Sequence, residues 1–146
     1  MQVRKVMSSP VITATTDTTI REAAMRMRTH GVGSLPVLRD GRPIGLVTDR
    51  DIVTRALGAT GFFRGPDTAI TDIMSRHVIT CLLDDDVAEA AALMGERQVR
   101  RLVVLSRDGV AVGVVSLGDL AEHASEELAG QVLGEVSEAR AQDDPG

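Results

Sequence analysis

Two short motifs, Thr48-x-x-Asp51 and Ser116-x-x-Asp119, each place a carboxylate three residues after a hydroxyl. At that spacing the hydroxyl oxygen can accept from a free N–H in the first turn of a helix, and the acid offsets the positive end of the helix dipole. From spacing alone the motifs have the form of a helix cap. Arg100-Arg101 offers a guanidinium that can fork onto phosphate; the same pair can equally be solvated, or turn inward onto Asp51. Asp84-Asp85-Asp86 carries enough charge for a metal, but it lies directly ahead of an apolar-periodic segment, where capping accounts for it. His30, His77 and His123 show no His-x-x-x-His spacing and no neighbouring Cys, and are read as surface histidines. The single cysteine, Cys81, excludes an intramolecular disulfide or a thiolate zinc cluster and is read as a structural thiol. Gly31-x-Gly33 follows a helix and enters a strand, the reverse of the order a dinucleotide-binding turn needs. Met25, Met27 and Met94 have helical spacing and are read as packing residues. No nucleophile–base pair or metal set emerges, so the chain is not read as an enzyme.

The elements that carry these residues occur twice. Displaced by 67 positions, Val6-Met7 falls on Ile73-Met74, Val11-Ile12-Thr13 on Val78-Ile79-Thr80, and Met27 on Met94. One extra residue near Arg107-Asp108 raises the offset to 68, and Ile44-Gly45-Leu46-Val47-Thr48 then meets Val112-Gly113-Val114-Val115-Ser116. An indel inside a glycine-containing turn is where a repeat tolerates one. In each copy a β-branched stretch (Val11–Thr13, Val78–Thr80) predicts a strand. Thr19-x-x-Glu22 and Asp86-x-x-Glu89 then cap helices with apolar stripes, Ile20, Ala23, Ala24, Met27 and Val87, Ala90, Ala91, Met94. Two strands follow, Leu35–Leu38 with Ile44–Val47 and Leu102–Leu105 with Val112–Val115, each pair joined through Asp-Gly. A second helix begins after Thr48 and after Ser116.

A βαββα unit of this size has a sheet face to hide and little core of its own. Two copies packed sheet to sheet solve that problem, giving an α+β fold with pseudo-twofold symmetry. The expected organisation is repeat 1 at residues 1–57, a linker at 58–70 holding Phe62-Phe63, and repeat 2 at 71–122. Residues 123–146 follow as a helical extension, with Leu128, Val132, Leu133 and Val136 on one side, and a disordered tail from Gln142. Without Trp or Tyr the core must be aliphatic. A net charge of −5, with no aromatics beyond the Phe pair, argues against nucleic acid as a partner. With no signal-like start and no apolar run long enough for a membrane span, a cytoplasmic protein is expected.

The residues Gly31-Val32-Gly33-Ser34-Leu35-Pro36-Val37 with Gly45-Leu46-Val47-Thr48-Asp49-Arg50-Asp51-Ile52, and their second copies Gln98–Val104 and Gly113–Leu120, resemble a tandem pair of CBS domains, a Bateman module. The likeness extends over about residues 3–122 and is nearest to small stand-alone two-CBS proteins of bacteria. It implies two clefts for adenine nucleotides or related ligands, with the acid of each motif on the ribose hydroxyls and the Thr or Ser near phosphate. By that resemblance Ser116 and Asp119 serve one cleft with Ile12, Val32, Gly33, Ser34, Leu35 and Pro36. Thr48 and Asp51 serve the other with Ile79, Val99, Arg100, Arg101 and Leu102. A carboxylate can accept from both hydroxyls of a ribose, and helix N–H groups suit phosphate. Arg100-Arg101 stands where the first copy has Gly33-Ser34, so unequal clefts are expected, the second favouring more phosphorylated ligands.

The resemblance thus implies a regulatory module that senses an adenosine-containing ligand (AMP, ADP, ATP or S-adenosylmethionine), requires no cofactor, forms a homodimer and signals to a separate protein. The alternative is a structural dimerisation or adaptor protein whose clefts are empty or plugged by Arg100 or Arg101.

Overall fold

The computed structural model describes the backbone of residues 1–58 and 64–143 and the side chains of residues 1–58 and 64–130. Phe62-Phe63 and residues 144–146 lie outside them, as do the side chains of Val132, Leu133 and Val136. Repeat 1 comprises β1 (Ala14–Thr15), α1 (Ile20–His30), β2 (Ser34–Arg39), β3 (Arg42–Thr48) and α2, which runs from Asp49–Asp51 into a π-helical turn at Ile52–Ala56. Repeat 2 comprises β4 (Thr80–Leu82), α3 (Val87–Arg97), β5 (Arg101–Leu105), β6 (Ala111–Ser116) and α4 (Leu117–Asp143). Each repeat is therefore βαββα, with one three-stranded sheet in the order β1-β2-β3 or β4-β5-β6. The first strand of each sheet runs parallel to the second, and the third antiparallel to it.

Local chemistry explains the turns. Arg39 pairs with Arg42 across Asp40-Gly41, whose φ values of 53° and 78° make the two-residue hairpin loop that Asp-Gly favours. In repeat 2 the extra residue widens the loop: Ser106 N–H donates to Val110 O at 2.8 Å, and Gly109 takes φ 84° at the bulge. Thr19 and Glu22 form the full capping box on α1. Asp86 caps α3 by accepting from Ala88 N–H at 2.8 Å. Its two acidic neighbours are also occupied, Asp85 by Leu82 N–H at 2.9 Å and Asp84 by Arg107.

Four expectations need correction. The first strand of repeat 1 begins at Ala14 and that of repeat 2 at Thr80, so Val11–Thr13 and Val78-Ile79 are not in the ladders. Thr13 O instead accepts from Arg26 at 3.0 Å, and Ile79 O from Val103 N–H at 3.1 Å. Ala24 and Ala91 are exposed; the buried faces are Ile20, Ala23 and Met27 on α1, and Ala90 and Met94 on α3. His123 is buried against the N-terminal segment, with Glu127 at 3.7 Å. Finally, α4 runs unbroken from Leu117 through Gln142 and Asp143, so the second helix of repeat 2 and the expected extension are one element.

The two cores are completed by exchange. A 3₁₀ turn at Val3–Lys5 precedes repeat 1 yet packs in repeat 2, with Val3 N–H donating to Asp85 O at 2.8 Å. Its counterpart at Ile70–Asp72 packs in repeat 1, with Ile70 N–H donating to Thr18 O at 2.9 Å. Val3 is fully buried with Cys81, Met94, Leu102 and Val115; Ile70, Ile73 and Met74 are buried with Leu35, Val37 and Val47. The crossing chains then pair with the opposite sheet, Ser8 with Val114 and Ser75 with Leu46. Gly45 and Gly113 make this approach feasible. A Cβ on Gly113 would lie 2.6 Å from Met7 Sδ and 2.9 Å from Ser8 O, and one on Gly45 would meet Met74 Sδ and lie 3.0 Å from Ser75 O.

Candidate functional site

Where the exchanged segments return to their own repeats, two related cavities open. The first, about 220 Å³, is lined from repeat 1 by Ser8, Pro10, Val11, Ile12 and Gly31–Ser34. Arg101, Val114, Ser116 and Asp119 of repeat 2 close it. The second, about 180 Å³, is lined by Ser75, His77, Val78, Ile79, Val99, Arg100, Arg101 and Val103, with Leu46 from repeat 1.

Strand alternation decides which expected residues reach these walls. On β2, Ser34 faces the first cavity, while Leu35 is fully buried in the repeat 1 core; on β5, Leu102 is likewise in its own core. Pro36 is buried and lines neither cavity, whereas its counterpart Val103 lines the second. The first cavity thus brings together Ser116, Asp119, Ile12, Val32, Gly33 and Ser34, without Leu35 or Pro36. The second unites Ile79, Val99, Arg100 and Arg101, without Leu102, Thr48 or Asp51.

Both hydroxyl–acid motifs are caps in full. Asp51 Oδ2 accepts from Thr48 N–H at 2.9 Å while Thr48 Oγ1 accepts from Asp51 N–H at 3.1 Å. Asp119 Oδ2 accepts from Ser116 N–H at 2.8 Å while Ser116 Oγ accepts from Asp119 N–H at 3.0 Å. Each cap uses one carboxylate oxygen. The second oxygen of Asp51 lies 3.7 Å from Arg55 Nε, which draws that side chain along α2. Among the described residues, the second oxygen of Asp119 has no protein donor, and its side chain is on the wall of the first cavity.

Arg101 reaches farther than its position in repeat 2 suggests, because it lines both cavities. Its Nη2 is 3.6 Å from where a Cβ of Gly33 would stand, and Asp49 Oδ2 is 3.1 Å from the same point. The missing side chain at Gly33 therefore leaves room for a cation and an anion at the mouth of the first cavity. Arg100 is exposed on the second, and neither arginine is paired with Asp51 among the described residues. Sequence reasoning missed Ser8, Val114, Ser75 and Leu46. Their signal is the equivalence of Gly45 and Gly113, each opposite a Met-Ser pair at the start of a repeat.

Cys81 is buried in β4, and burial, with Asp85 nearby, pushes its thiol up to about 11. Among the described residues no group of three or more His, Cys, Asp or Glu side chains could hold a metal ion, and no helix is long and apolar enough to cross a membrane.

The family model for the CBS domain matches residues 3–58 and again 70–126. The chain belongs to the CBS-domain family, as a tandem pair. It is 37% identical over 136 residues to the CBS domain-containing protein YhcV of Bacillus subtilis, a match covering 92% of this chain and 94% of that protein. Its fold is similar to the CBS domain pair of protein MJ0100, solved in complex with 5′-methylthioadenosine and S-adenosyl-L-methionine. That likeness has a TM-score of 0.75 at 28% identity and covers 87% of this chain and 98% of the other. It is also similar to the CBS domain protein PAE2072 from Pyrobaculum aerophilum complexed with AMP. There the TM-score is 0.70 at 30% identity, covering 82% and 89%.

Proposed function

We propose that this protein is a cytoplasmic regulatory module that binds an adenosine-containing ligand between its two repeats, as a homodimer, and passes the signal to a separate protein. The observation that carries the reading is the first cleft. There Asp119, with one carboxylate oxygen unspent, shares a cavity with the apolar Ile12 and Val32 and with Gly33. That arrangement offers an acceptor for ribose hydroxyls beside apolar surface for a base. The adenosine compounds bound by MJ0100 and PAE2072 support the same ligand class. The second cleft supplies Ile79, Val99, Arg100 and Arg101, with Thr48 and Asp51 available once Asp51 turns from Arg55. Exposed Ala24 and Met25 on α1, with Ala91 and Ala92 on α3, support a dimer formed through these helices. The functional unit on this reading is the pair of repeats, 1–57 and 71–122, with 58–70 as linker and α4 continuing past residue 122 as the helix of the second repeat.

Mass spectrometry of ligand released by heating freshly purified protein tests the proposal. An adenine-containing compound is expected, and light scattering should give twice the 15.5 kDa chain mass. Protein that releases none, and binds neither adenosine nor ATP by calorimetry, would leave the adaptor reading in its place.

A further inference from the structure

The pseudo-twofold symmetry makes the two clefts comparable residue by residue, and their flanks carry opposite charge. Beside the second cleft lies a groove of about 530 Å³ lined by Arg55, Arg64, Arg76 and His77, with Asp72 as the one carboxylate among the described residues that line it. Ser75 and His77 line both this groove and the second cleft, so the two spaces adjoin. The corresponding flank of the first cleft holds Lys5 and His123 but also Glu122 and Glu126, alongside Asp119. At the repeat offsets, Arg55 corresponds to His123, Arg76 to Ser9, and Asp72 to Lys5. The scaffold is shared while the net charge of the two flanks is opposite.

The arginines are placed but mostly unspent. Arg55 uses Nη1 on Ile73 O at 3.2 Å and Met74 O at 3.3 Å, which fixes its guanidinium in the groove, and its Nε lies 3.7 Å from Asp51 Oδ1. Arg64 Nη1 is 3.8 Å from Asp72, and Arg76 makes one 3.5 Å bond to Thr71 O. A guanidinium carries five N–H donors in a fork that matches phosphate oxygens, so each retains capacity for an anion.

Building on the proposed function, we propose that the second cleft continues onto an arginine shelf that takes the phosphate chain of a nucleoside di- or triphosphate. The first cleft, flanked by Glu122 and Glu126, takes an adenosine derivative without such a chain. The module then reads two chemically different ligands, and the discrimination lies outside the nucleoside pockets. This relocates the expected phosphate preference from Arg100-Arg101 to Arg55, Arg64 and Arg76.

The test is calorimetry on the full-length dimer with adenosine, AMP, ATP and inorganic tripolyphosphate, in the parent, Arg76→Ser, Arg64→Gln and the double variant. The parent should bind ATP more tightly than adenosine at one of two sites. Each substitution should lower the ratio of ATP to adenosine affinity about tenfold, more weakly at high salt. Both variants replace exposed side chains, and circular dichroism is the control for folding. Equal ATP and adenosine affinities in the parent, or an unchanged ratio in the double variant, would overturn the shelf. If the parent binds no adenosine compound, the functional reading fails by itself. Tripolyphosphate then decides the shelf alone: binding lost in the double variant supports an anion site, and no binding in the parent rejects it.

Discussion

Replacing Asp119 with asparagine separates the two jobs its carboxylate can hold. One oxygen accepts from Ser116 N–H at 2.8 Å and caps α4; the other has no donor among the described residues, and the side chain is on the wall of the first cleft. Alanine removes both. Asparagine keeps an oxygen for the cap and exchanges the cleft-facing acceptor for an amide donor. Loss of a cap costs about 1 kcal/mol, which for a chain of this size lowers the melting temperature by roughly 4 °C. A hydrogen bond to a charged acceptor is worth about 1.5–3 kcal/mol, so losing one from a ribose hydroxyl weakens binding about ten- to a hundredfold. Asp119→Asn should therefore melt within a degree or two of the parent while its first cleft loses about tenfold or more in adenosine affinity. Asp119→Ala should show both losses. Circular dichroism follows the melt, because the chain has no Trp or Tyr for fluorescence, and calorimetry follows the binding. Parent-like affinity in the alanine variant, together with its low melting temperature, would make Asp119 a cap alone. The ribose assignment would then be refuted.

Gly113→Ala and Gly45→Ala should each destabilise by about 1–3 kcal/mol in urea titrations, because the added methyl meets a methionine and a backbone carbonyl of the exchanged segment. Cys81, with its thiol pushed up to about 11, should react with alkylating reagents at pH 8 at least a hundredfold more slowly than a free cysteine until urea unfolds the chain. The neutral thiol is the folded form, so stability is full below about pH 9 and declines toward pH 11; Cys81→Ala should flatten that slope, which Lys5, the only lysine, does little to mask. Asp86 shifts the other way: the hydrogen bond from Ala88 N–H, then that from the N-terminal ammonium, holds its carboxyl below the ordinary range. Its contribution is present above about pH 4 and lost as pH falls through its lowered value, so Asp86→Asn should weaken the acid dependence of the melt.

What could be read beforehand was local or duplicated. The two offsets located equivalent strands and helices, and the extra residue near Asp108 appeared as the wider hairpin loop. The hydroxyl–acid motifs announced their caps because that chemistry spans only four residues. The exchange of Val3 and Ile70 left no periodic trace, since a 3₁₀ turn of three residues is too short to show a face. Arg101 belonged by position to the second cleft; only the void at Gly33, distant in sequence, lets its side chain border the first as well. The buried setting of His123 was hidden for a related reason, because its neighbours come from the opposite end of the chain. The flanking arginines were invisible as a group, since Arg55, Arg64 and Arg76 converge only when the Ile70–Asp72 turn docks on repeat 1.

That docking also bears on how such a molecule can arise. Each repeat lacks one piece of its own core, the piece its twin supplies. A lone repeat could satisfy its sheet only by borrowing the leading arm of a second identical chain, a domain-swapped pair. Fusing two such genes needs no new contacts: a short connector turns an intermolecular trade into an intramolecular one and makes it independent of concentration. Once the partners are covalently joined they no longer have to be identical, and each is free to drift alone. Arginines flanking one cleft while glutamates flank the other are what that freedom permits.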